Sequence, residues 1–428
     1  LASARATFTS TLMPGSRSRM IIPLLPQARL AAIKEPEPRF RSPPPLSLYV
    51  HIPWCVQKCP YCDFNSHSLQ VGSSTAPTAI PESDYLAALV ADLESALPLV
   101  WGRRIDSLFF GGGTPSLLSG AGLDQLLAAL RSRLTFLPGA EITLEANPGT
   151  VEAARFAAFR DAGINRLSRG IQSFNPQHLK ALGRIHDDHE ARRAITIAAR
   201  HFDNFNLDLM YGLPGQTLAE ALADLDAALA FSPPHLSCYQ LTIEANTAFA
   251  ARPPALPEDD LCADMQDAIE ARLAAAGYLH YETSAFAIPG RQCQHNLNYW
   301  HFGDYLGIGA GAHGKLTLHD RVLRQMRWKG PEQYLAQVAA GMPVQEEFAV
   351  AAADLPFEFM INALRLVQGF DAQIFESRTA LSLLSIEGKL RQAEQEGLIE
   401  RQRQRIVPSE HGRRFLNRLL VGFLADAG

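Results

Sequence analysis

Long apolar runs are missing from this chain. No stretch approaches the roughly 18 to 20 consecutive apolar residues that a membrane-crossing helix needs, so the sequence predicts none. Cysteine is scarce. The 428 residues hold six, at Cys55, Cys59, Cys62, Cys238, Cys262 and Cys293. A secreted scaffold stapled by disulfides uses cysteine far more densely, so a reducing compartment, the cytoplasm, is expected. Positive charge is not in excess either. Thirty-nine Lys and Arg against 44 Asp and Glu leave a formal net charge of −5, which argues against general nucleic-acid affinity. Acids are absent from one region: the residues before Glu35 carry Arg5, Arg17, Arg19, Arg29 and Lys34 but no Asp or Glu, and the chain opens on Leu1. That composition is similar to an organelle transit peptide. The alternative, and the favoured reading, is a start placed upstream of the true one, with Met20 or a later residue as the beginning. Residues 1–45 are therefore expected to lie outside the fold, with the Pro-rich RSPPPLS as the linker into the first strand.

What remains is ordinary for a globular protein: 47% hydrophobic and 19% charged residues, in a chain long enough for two or three domains. From Leu46 short apolar stretches alternate with amphipathic ones. LSLYVHI, IDSLFF, EITLEANP, RLSRGIQSF, NFNLDLMYGLPG and HLSCYQLTI read as strands, and DYLAALVADLESAL, LDQLLAALRSRL, VEAARFAAFRDAG, HEARRAITIAARHF and LAEALADLDAALAF read as helices. This α/β alternation predicts a parallel sheet with right-handed crossovers, an incomplete barrel of about six β/α units over residues 46–250. Residues 251–347 form a looser accessory α+β region. Residues 348–428 read as helices followed by a hairpin and a final helix, a winged-helix-like domain.

Cys55, Gly111–Pro115, Glu145, Gln172 and Asp208 all fall at or just after the C-terminal ends of predicted strands. In parallel α/β folds that edge carries the active site. The cysteines are spaced C-x3-C-x2-C. Structural zinc takes four protein ligands, and a four-iron cluster has four corners to fill. Three thiolates thus leave a position open. Zinc remains an alternative if His51 or His67 supplies the fourth ligand, and three coincidentally close thiols are the bland reading. Tyr61 between the ligands, the triplet's place at the end of a buried strand, and GGGTP one unit later favour a cluster. Gly111, Gly112 and Gly113 remove side chains where a ligand could approach backbone N–H groups. Glu145 and Asp208 suit an amino group or hydroxyls, and Arg184 suits a carboxylate.

The C-x3-C-x2-C loop with Tyr61 before its third cysteine resembles the radical S-adenosylmethionine (SAM) superfamily. LYVHIPWCVQKCPYCDFNSH, FGGGTPSLL, LEANPGT, GIQSF, LGRIH, NLDLMYGLPGQT, CQHNLNYW and GIGAGAHG resemble its HemW haem-chaperone branch, sister to the oxygen-independent coproporphyrinogen III oxidases. The similarity runs from about Leu46 to the C-terminus and implies a radical SAM partial (β/α)6 barrel. It implies a [4Fe-4S] cluster on Cys55, Cys59 and Cys62, with SAM chelating the fourth iron and cleaved by an electron from the cluster to methionine and a 5′-deoxyadenosyl radical. It also implies SAM contacts from Tyr49, Tyr61, Gly112, Gly113, Thr114, Glu145, Gln172, Arg184 and Asp208.

The oxidases carry a further cysteine two residues after the third; here that position is Phe64, which favours the chaperone branch. Arg169 stands where the branch usually has an aliphatic residue or Met, and either enters the polar cavity or marks an altered site. HNLNYW is the branch's distinctive motif, linked to haem, so His295 becomes the candidate haem ligand, with His313 and Cys293 behind it. On its own chemistry His295 reads equally as a hydrogen-bonded core residue. The resemblance implies a haem chaperone connected with porphyrin metabolism, whose partners are haem, an acceptor haemoprotein such as a respiratory one, and a bacterioferritin-like donor. It implies membrane association only through such partners. The alternatives are a coproporphyrinogen III oxidase and a zinc-stabilised DNA-binding protein using the winged helix.

Overall fold

A computed structural model of the chain describes residues 38–69, 80–148 and 153–425. Outside them lie the basic N-terminal segment through residue 37, most of the Val71–Pro81 stretch, and Gly149 and Thr150 of LEANPGT with the start of the helix predicted to follow.

The strands are β1 Leu46–Ile52, β2 Trp54–Cys55, β3 His67–Ser68, β4 Arg104–Gly112, β5 Thr135–Ala146, β6 Arg166–Gln172, β7 Phe205–Tyr211, β8 His235–Gln240, β9 Leu279–Glu282, β10 Ala285–Ala287, β11 Asp304–Ile308, β12 His313–Thr317, β13 Val322–Arg327 and β14 Val344–Ala349. Twelve of them make one mixed sheet in the order β14-β13-β12-β11-β1-β4-β5-β6-β7-β8-β10-β9. Strands β1, β4, β5, β6, β7 and β8 pair in parallel, the six-strand half-barrel expected from the alternation. Strand β11 adds in parallel beside β1, and the flanks β12–β14 and β9–β10 are antiparallel. The sheet does not close: β9 and β14 are not paired with each other among the described residues.

Between consecutive parallel strands run the helices Glu82–Val100, Gly120–Arg133, Ala153–Ala162, Asp188–His201 and Leu218–Leu229. Their N-termini follow the local sequence. Ser119 accepts from Gly122 N–H, and Asp187 with Glu190 and Thr217 with Glu220 form capping boxes. Leu86, Leu89 and Leu93, then Leu123, Leu126, Leu127 and Leu130, then Phe156 and Phe159 bury against alternate strand residues such as Leu48, Val50, Leu108, Phe110, Leu144 and Leu167. Each such side chain contributes about 1.5–3 kcal/mol of burial.

The other face of the same strands is unusual. Ser47, His51, Ser107, Thr143, Arg166, Ser168, Asn206, His235 and Ser237 are all buried there. Parallel strands normally read as continuous apolar runs because both faces are covered. Here the period of two instead puts polar groups inside the half-barrel, where each must find a partner. Part of that cover is the HNLNYW segment, a helix at Gln294–Trp300. His295 Nδ1 lies 2.9 Å from Ser107 Oγ, Asn298 Nδ2 donates to Ser47 Oγ at 2.9 Å, and the His295 N–H reaches Glu141 Oε1 at 3.3 Å.

The C-terminal part holds helices Leu355–Ala363, Ala372–Thr379 and Glu387–Gln395 and a three-stranded antiparallel sheet of β15 Phe370–Asp371, β16 Ile399–Gln402 and β17 Arg405–Pro408. This is the winged-helix arrangement expected, with its own core of Phe359, Phe370, Phe375, Leu390 and Ile406 into which Phe302 inserts. The expected final helix is two, Glu410–Arg414 and Leu416–Val421, interrupted at Phe415.

Candidate functional site

The cysteine loop leaves the C-terminal end of β1 and is closed by the short parallel pair β2–β3, in which Cys55 stands opposite Ser68. Inside the loop Cys62 N–H bonds the Cys59 carbonyl at 3.1 Å. Asn65 ties the loop to distant chain: its Nδ2 donates to the carbonyls of Ala310 at 2.9 Å and Lys329 at 3.0 Å. The GIGAGAHG glycines make this approach possible, since a Cβ on Gly311 would sit 2.2 Å from Asn65 Nδ2 and Gly311 has φ +78°.

His51, one candidate fourth zinc ligand, is fully engaged. Its Nε2 donates to the Asn65 carbonyl at 2.8 Å and its Nδ1 accepts from Tyr49 OH at 3.0 Å. Burial pushes its pKa down to about 4, so the ring is neutral. His67 stands on β3, where burial also lowers its pKa. Among the described residues, no three His, Cys, Asp or Glu side chains are grouped to hold a single ion.

The three cysteines instead open onto one cleft of about 960 Å³, counted with its mouth. Its walls include Tyr61, Gly112, Gly113, Thr114, Glu145, Gln172, Arg184 and Asp208, so most of the predicted site converges here. A chain of hydrogen bonds runs round the wall. Thr114 Oγ1 is 3.5 Å from Cys55 Sγ, Asn147 Nδ2 donates to Thr114 Oγ1 at 2.9 Å, Arg184 Nη2 donates to Asn147 Oδ1 at 3.0 Å, and Arg184 Nη1 is 3.7 Å from Cys59 Sγ. Arg184 also donates to the Gly170 carbonyl at 2.6 Å. Gln172, at the end of β6, takes φ +69°, a left-handed conformation that a non-glycine residue holds only when its surroundings impose it.

The glycine segment works differently from the reading that its N–H groups face a ligand. Gly113 N–H bonds the Ile52 carbonyl and Thr114 N–H the Trp54 carbonyl, both at 2.7 Å, while Gly112 N–H goes to Glu145 Oε2 at 3.2 Å. The absent side chains serve close packing: a Cβ on Gly113 would sit 2.4 Å from the Trp54 carbonyl oxygen.

Burial raises the Glu145 carboxyl to about 7, with the charge of Asp208 adding to the shift and the Gly112 N–H opposing it. Asp208 is also raised by burial, against hydrogen bonds from Asn206 and Ser168. Two carboxyls held above their usual range are poised to take a cationic partner. Burial likewise raises the Cys55 and Cys62 thiols, so a metal's charge is needed to hold them as thiolates.

Two predicted contacts lie outside the cleft lining. Tyr49 is buried beneath it, stacked on Phe109 at 6.3 Å. His295 is 1% exposed, its ring stacked on Phe109 at 4.9 Å and edge-on to Tyr299 at 4.9 Å, with Nε2 lacking a hydrogen-bond partner among the described residues. Burial pushes its pKa well down. Arg169 does not enter the cavity. It points from β6 to the helix-covered face, fully buried, its guanidinium 5.0 Å from the Phe156 ring centre and without a hydrogen-bond partner among the described residues. Burial lowers its pKa to about 9. Asn147 and Ser168 line the cleft and were not singled out from the sequence. Asn147 lies two residues after Glu145 at a strand end, and Ser168 shares the parity of Arg166 and Gly170.

The donor set fits a multi-iron cluster with an open corner: three soft thiols on one wall and acceptor carboxylates with a guanidinium on the others. Residues 49–228 match the family model for the Radical SAM superfamily, and residues 350–415 match that for the HemN C-terminal domain. The fold is shared with coproporphyrinogen III oxidase (HemN) from Escherichia coli, a radical SAM enzyme, at a TM-score of 0.74 and 25% identity over 89% of this chain and 90% of that one. Two relatives are similar over nearly their whole length. They are the heme chaperone HemW of Escherichia coli (strain K12), 50% identical over 385 residues covering 90% of this chain and 99% of that protein, and that of Haemophilus influenzae, 49% identical over 389 residues with the same coverage. The chain belongs to the HemW heme-chaperone family of radical SAM proteins.

Proposed function

We propose that the protein is a haem chaperone that binds haem and passes it to an acceptor haemoprotein, and that it carries a [4Fe-4S] cluster on Cys55, Cys59 and Cys62 with SAM in the adjoining cleft. What carries the reading is the identity of about half over 99% of the E. coli chaperone. Phe64 supports it against oxidase activity. It stands where the oxidases have a further cysteine, 41% exposed at the cleft mouth, and a phenyl ring can neither ligate a metal nor shuttle protons. The cluster, when bound, supplies an electron to SAM. This chain's residues bind and orient: Glu145, Asp208 and Arg184 supply charge, and Gly112, Gly113 and Thr114 shape one wall.

We assign the cluster and SAM to residues 46–250 and the HNLNYW helix to an accessory region at 251–347, followed by the winged-helix-like part at 348–428. Haem ligation by His295 requires the Gln294–Trp300 helix to withdraw from the half-barrel, breaking its contacts to Ser107, Glu141 and Ser47. The acceptor is a haemoprotein, respiratory ones included, with a bacterioferritin-like donor upstream and the cytoplasm as the place. No helix among the described residues is long and apolar enough to cross a membrane.

The test uses anaerobically reconstituted protein with iron, sulfide and haem quantified. Haem-loaded protein should transfer haem to apo-myoglobin as a probe acceptor. With coproporphyrinogen III, SAM and a low-potential reductant it should form no protoporphyrinogen IX. Robust SAM-dependent decarboxylation would replace the chaperone reading with the oxidase.

A further inference from the structure

The polar interior of the half-barrel contains a histidine that touches neither the cleft nor the HNLNYW helix, yet stands between them. His235 is fully buried at the start of β8. Its Nδ1 is 2.7 Å from Asn206 Oδ1 and its Nε2 is 2.7 Å from Tyr281 OH. Asn206 Nδ2 donates to Asp208 Oδ1 at 2.7 Å and to Ser168 Oγ at 2.8 Å. At the far end Tyr281 OH accepts from the Cys293 N–H at 3.3 Å, and Cys293 is the N-cap of the HNLNYW helix.

With Asp208 as the carboxylate that meets SAM, the direction of every proton in this chain follows. Asp208, as a carboxylate, only accepts, so the Asn206 amide nitrogen faces it and Asn206 Oδ1 faces His235. His235 Nδ1 must then be the donor. Burial with Arg166 nearby holds the imidazole neutral, so Nε2 is an acceptor and Tyr281 donates to it. The result is a one-way series, Tyr281 O–H to His235, His235 N–H to Asn206, Asn206 N–H to Asp208, with all positive ends aimed at the carboxylate. Ser237 Oγ adds a second donor to Asn206 Oδ1 at 3.0 Å. Such aligned bonds polarise one another in a low-dielectric interior.

We propose that His235 and Tyr281 are positioning residues for SAM: through Asn206 they fix the rotamer and negative charge of Asp208, and they join the SAM cleft to the N-terminus of the HNLNYW helix. The proposal rests on the reading of Asp208 as a SAM contact. None of the three intermediaries lines the cleft, so their influence must pass through Asp208. It also gives the tyrosine hydroxyl two duties, one toward the cleft and one toward the helix cap, so a change at either end is felt at the other.

The experiment titrates SAM into anaerobically reconstituted full-length protein, read by calorimetry and by the EPR spectrum of the reduced cluster, in Tyr281→Phe, His235→Leu, His235→Asn and Asp208→Asn. Tyr281→Phe removes only the donor hydroxyl and should weaken SAM binding about fivefold to tenfold, the worth of one net hydrogen bond. His235→Leu should weaken it at least as much. His235→Asn keeps a donor near the Nδ1 position but loses the Nε2 acceptor that Tyr281 uses, so it should weaken SAM binding about as much as Tyr281→Phe and less than His235→Leu. Iron content should be unchanged in all four, and the SAM-induced EPR change should require proportionally more SAM in each weakened variant, Asp208→Asn included. Parent-like SAM affinity in both Tyr281→Phe and His235→Leu, with Asp208→Asn impaired, overturns the relay. Parent-like affinity in Asp208→Asn as well removes the SAM contact itself and the relay with it. If His235→Leu does not fold, Tyr281→Phe decides alone.

Discussion

Replacing His295 by alanine separates a buried pin from an accessible ligand. The ring makes contacts that alanine cannot: the 2.9 Å hydrogen bond to Ser107, the stack on Phe109, the edge contact with Tyr299 and a looser, tilted one with Tyr49. The hydrogen bond is worth about 1 kcal/mol. The aromatic contacts add about 0.5–1.5 kcal/mol. The space left behind adds a cavity term, because a half-barrel closed by a helix collapses poorly; large-to-alanine changes in such places cost about 3–5 kcal/mol. Ser107 retains Ser47 Oγ at 2.8 Å, so no hydroxyl is orphaned and the lower end of that range applies. The expected loss is therefore about 3 kcal/mol in urea unfolding of the cluster-free protein, followed by the fluorescence of buried Trp54 and Trp300. Haem titration by Soret absorbance on the same samples supplies the second axis. A variant that loses haem but less than about 1 kcal/mol of stability would refute the burial argument, and would mean that the helix stands open in solution with His295 presented to haem.

Alanine at Cys55, Cys59 or Cys62 should abolish the cluster, measured as iron and sulfide per chain, whereas Cys238→Ala and Cys262→Ala should retain it, since both thiols lie away from the cleft lining. SAM binding should weaken about tenfold between pH 8 and pH 6. Glu145 titrates near 7 in the free protein and must be a carboxylate to meet a cation, so protonation competes with binding below that value. Glu145→Gln should flatten this dependence in a calorimetric pH series, and an unchanged slope would reject Glu145 as its source. Gly113→Ala drives a Cβ against the Trp54 carbonyl and should lower iron content after identical reconstitution; parent-like loading would show that the two segments can part at little cost. Arg169→Met should raise stability by about 1–2 kcal/mol in urea, because a buried cation without hydrogen bonds among the described residues is exchanged for a side chain that needs none; a loss of stability would reveal a partner for the guanidinium.

The rim was legible because strand ends announce themselves. Gly111–Pro115, Glu145 before Asn147-Pro148, and Asp208 before Gly212 each sit where an apolar run stops, and a parallel sheet gathers such ends on one edge. The orientation of Arg169 is also legible, in its parity with Leu167 and Ile171, although its charge alone suggests the polar cavity or an altered site. Strands β12, β13 and β14 were not legible as strands of the main sheet. Lys315, Arg324 and Glu346 interrupt their apolar pattern, and what seats Lys315 is an ion pair with Asp304 on the neighbouring strand β11 at 2.9 Å, which hydrophobic periodicity does not register. The enclosure of His295 was equally hidden, because the polar face that receives it is assembled from strands more than a hundred residues away in sequence, Ser107 and Glu141 among them.

Asn65 carries a consequence for when the protein can mature. Its two carbonyl partners lie 245 and 264 residues further along the chain. At roughly 5–20 residues per second, the ribosome needs on the order of 13 to 50 s after making the cysteine loop before Lys329 exists to hold it. During that interval the three thiols belong to a segment whose anchors have not been synthesised, and the strand that flanks β1 on its other side, β11, is missing too. A nascent or truncated chain ending before Lys329 thus has the three cysteines but not the frame. The frame that would receive the proposed cluster is consequently completed late in the life of the polypeptide, and the loop's own sequence, complete by residue 69, is exposed to oxidants well before that.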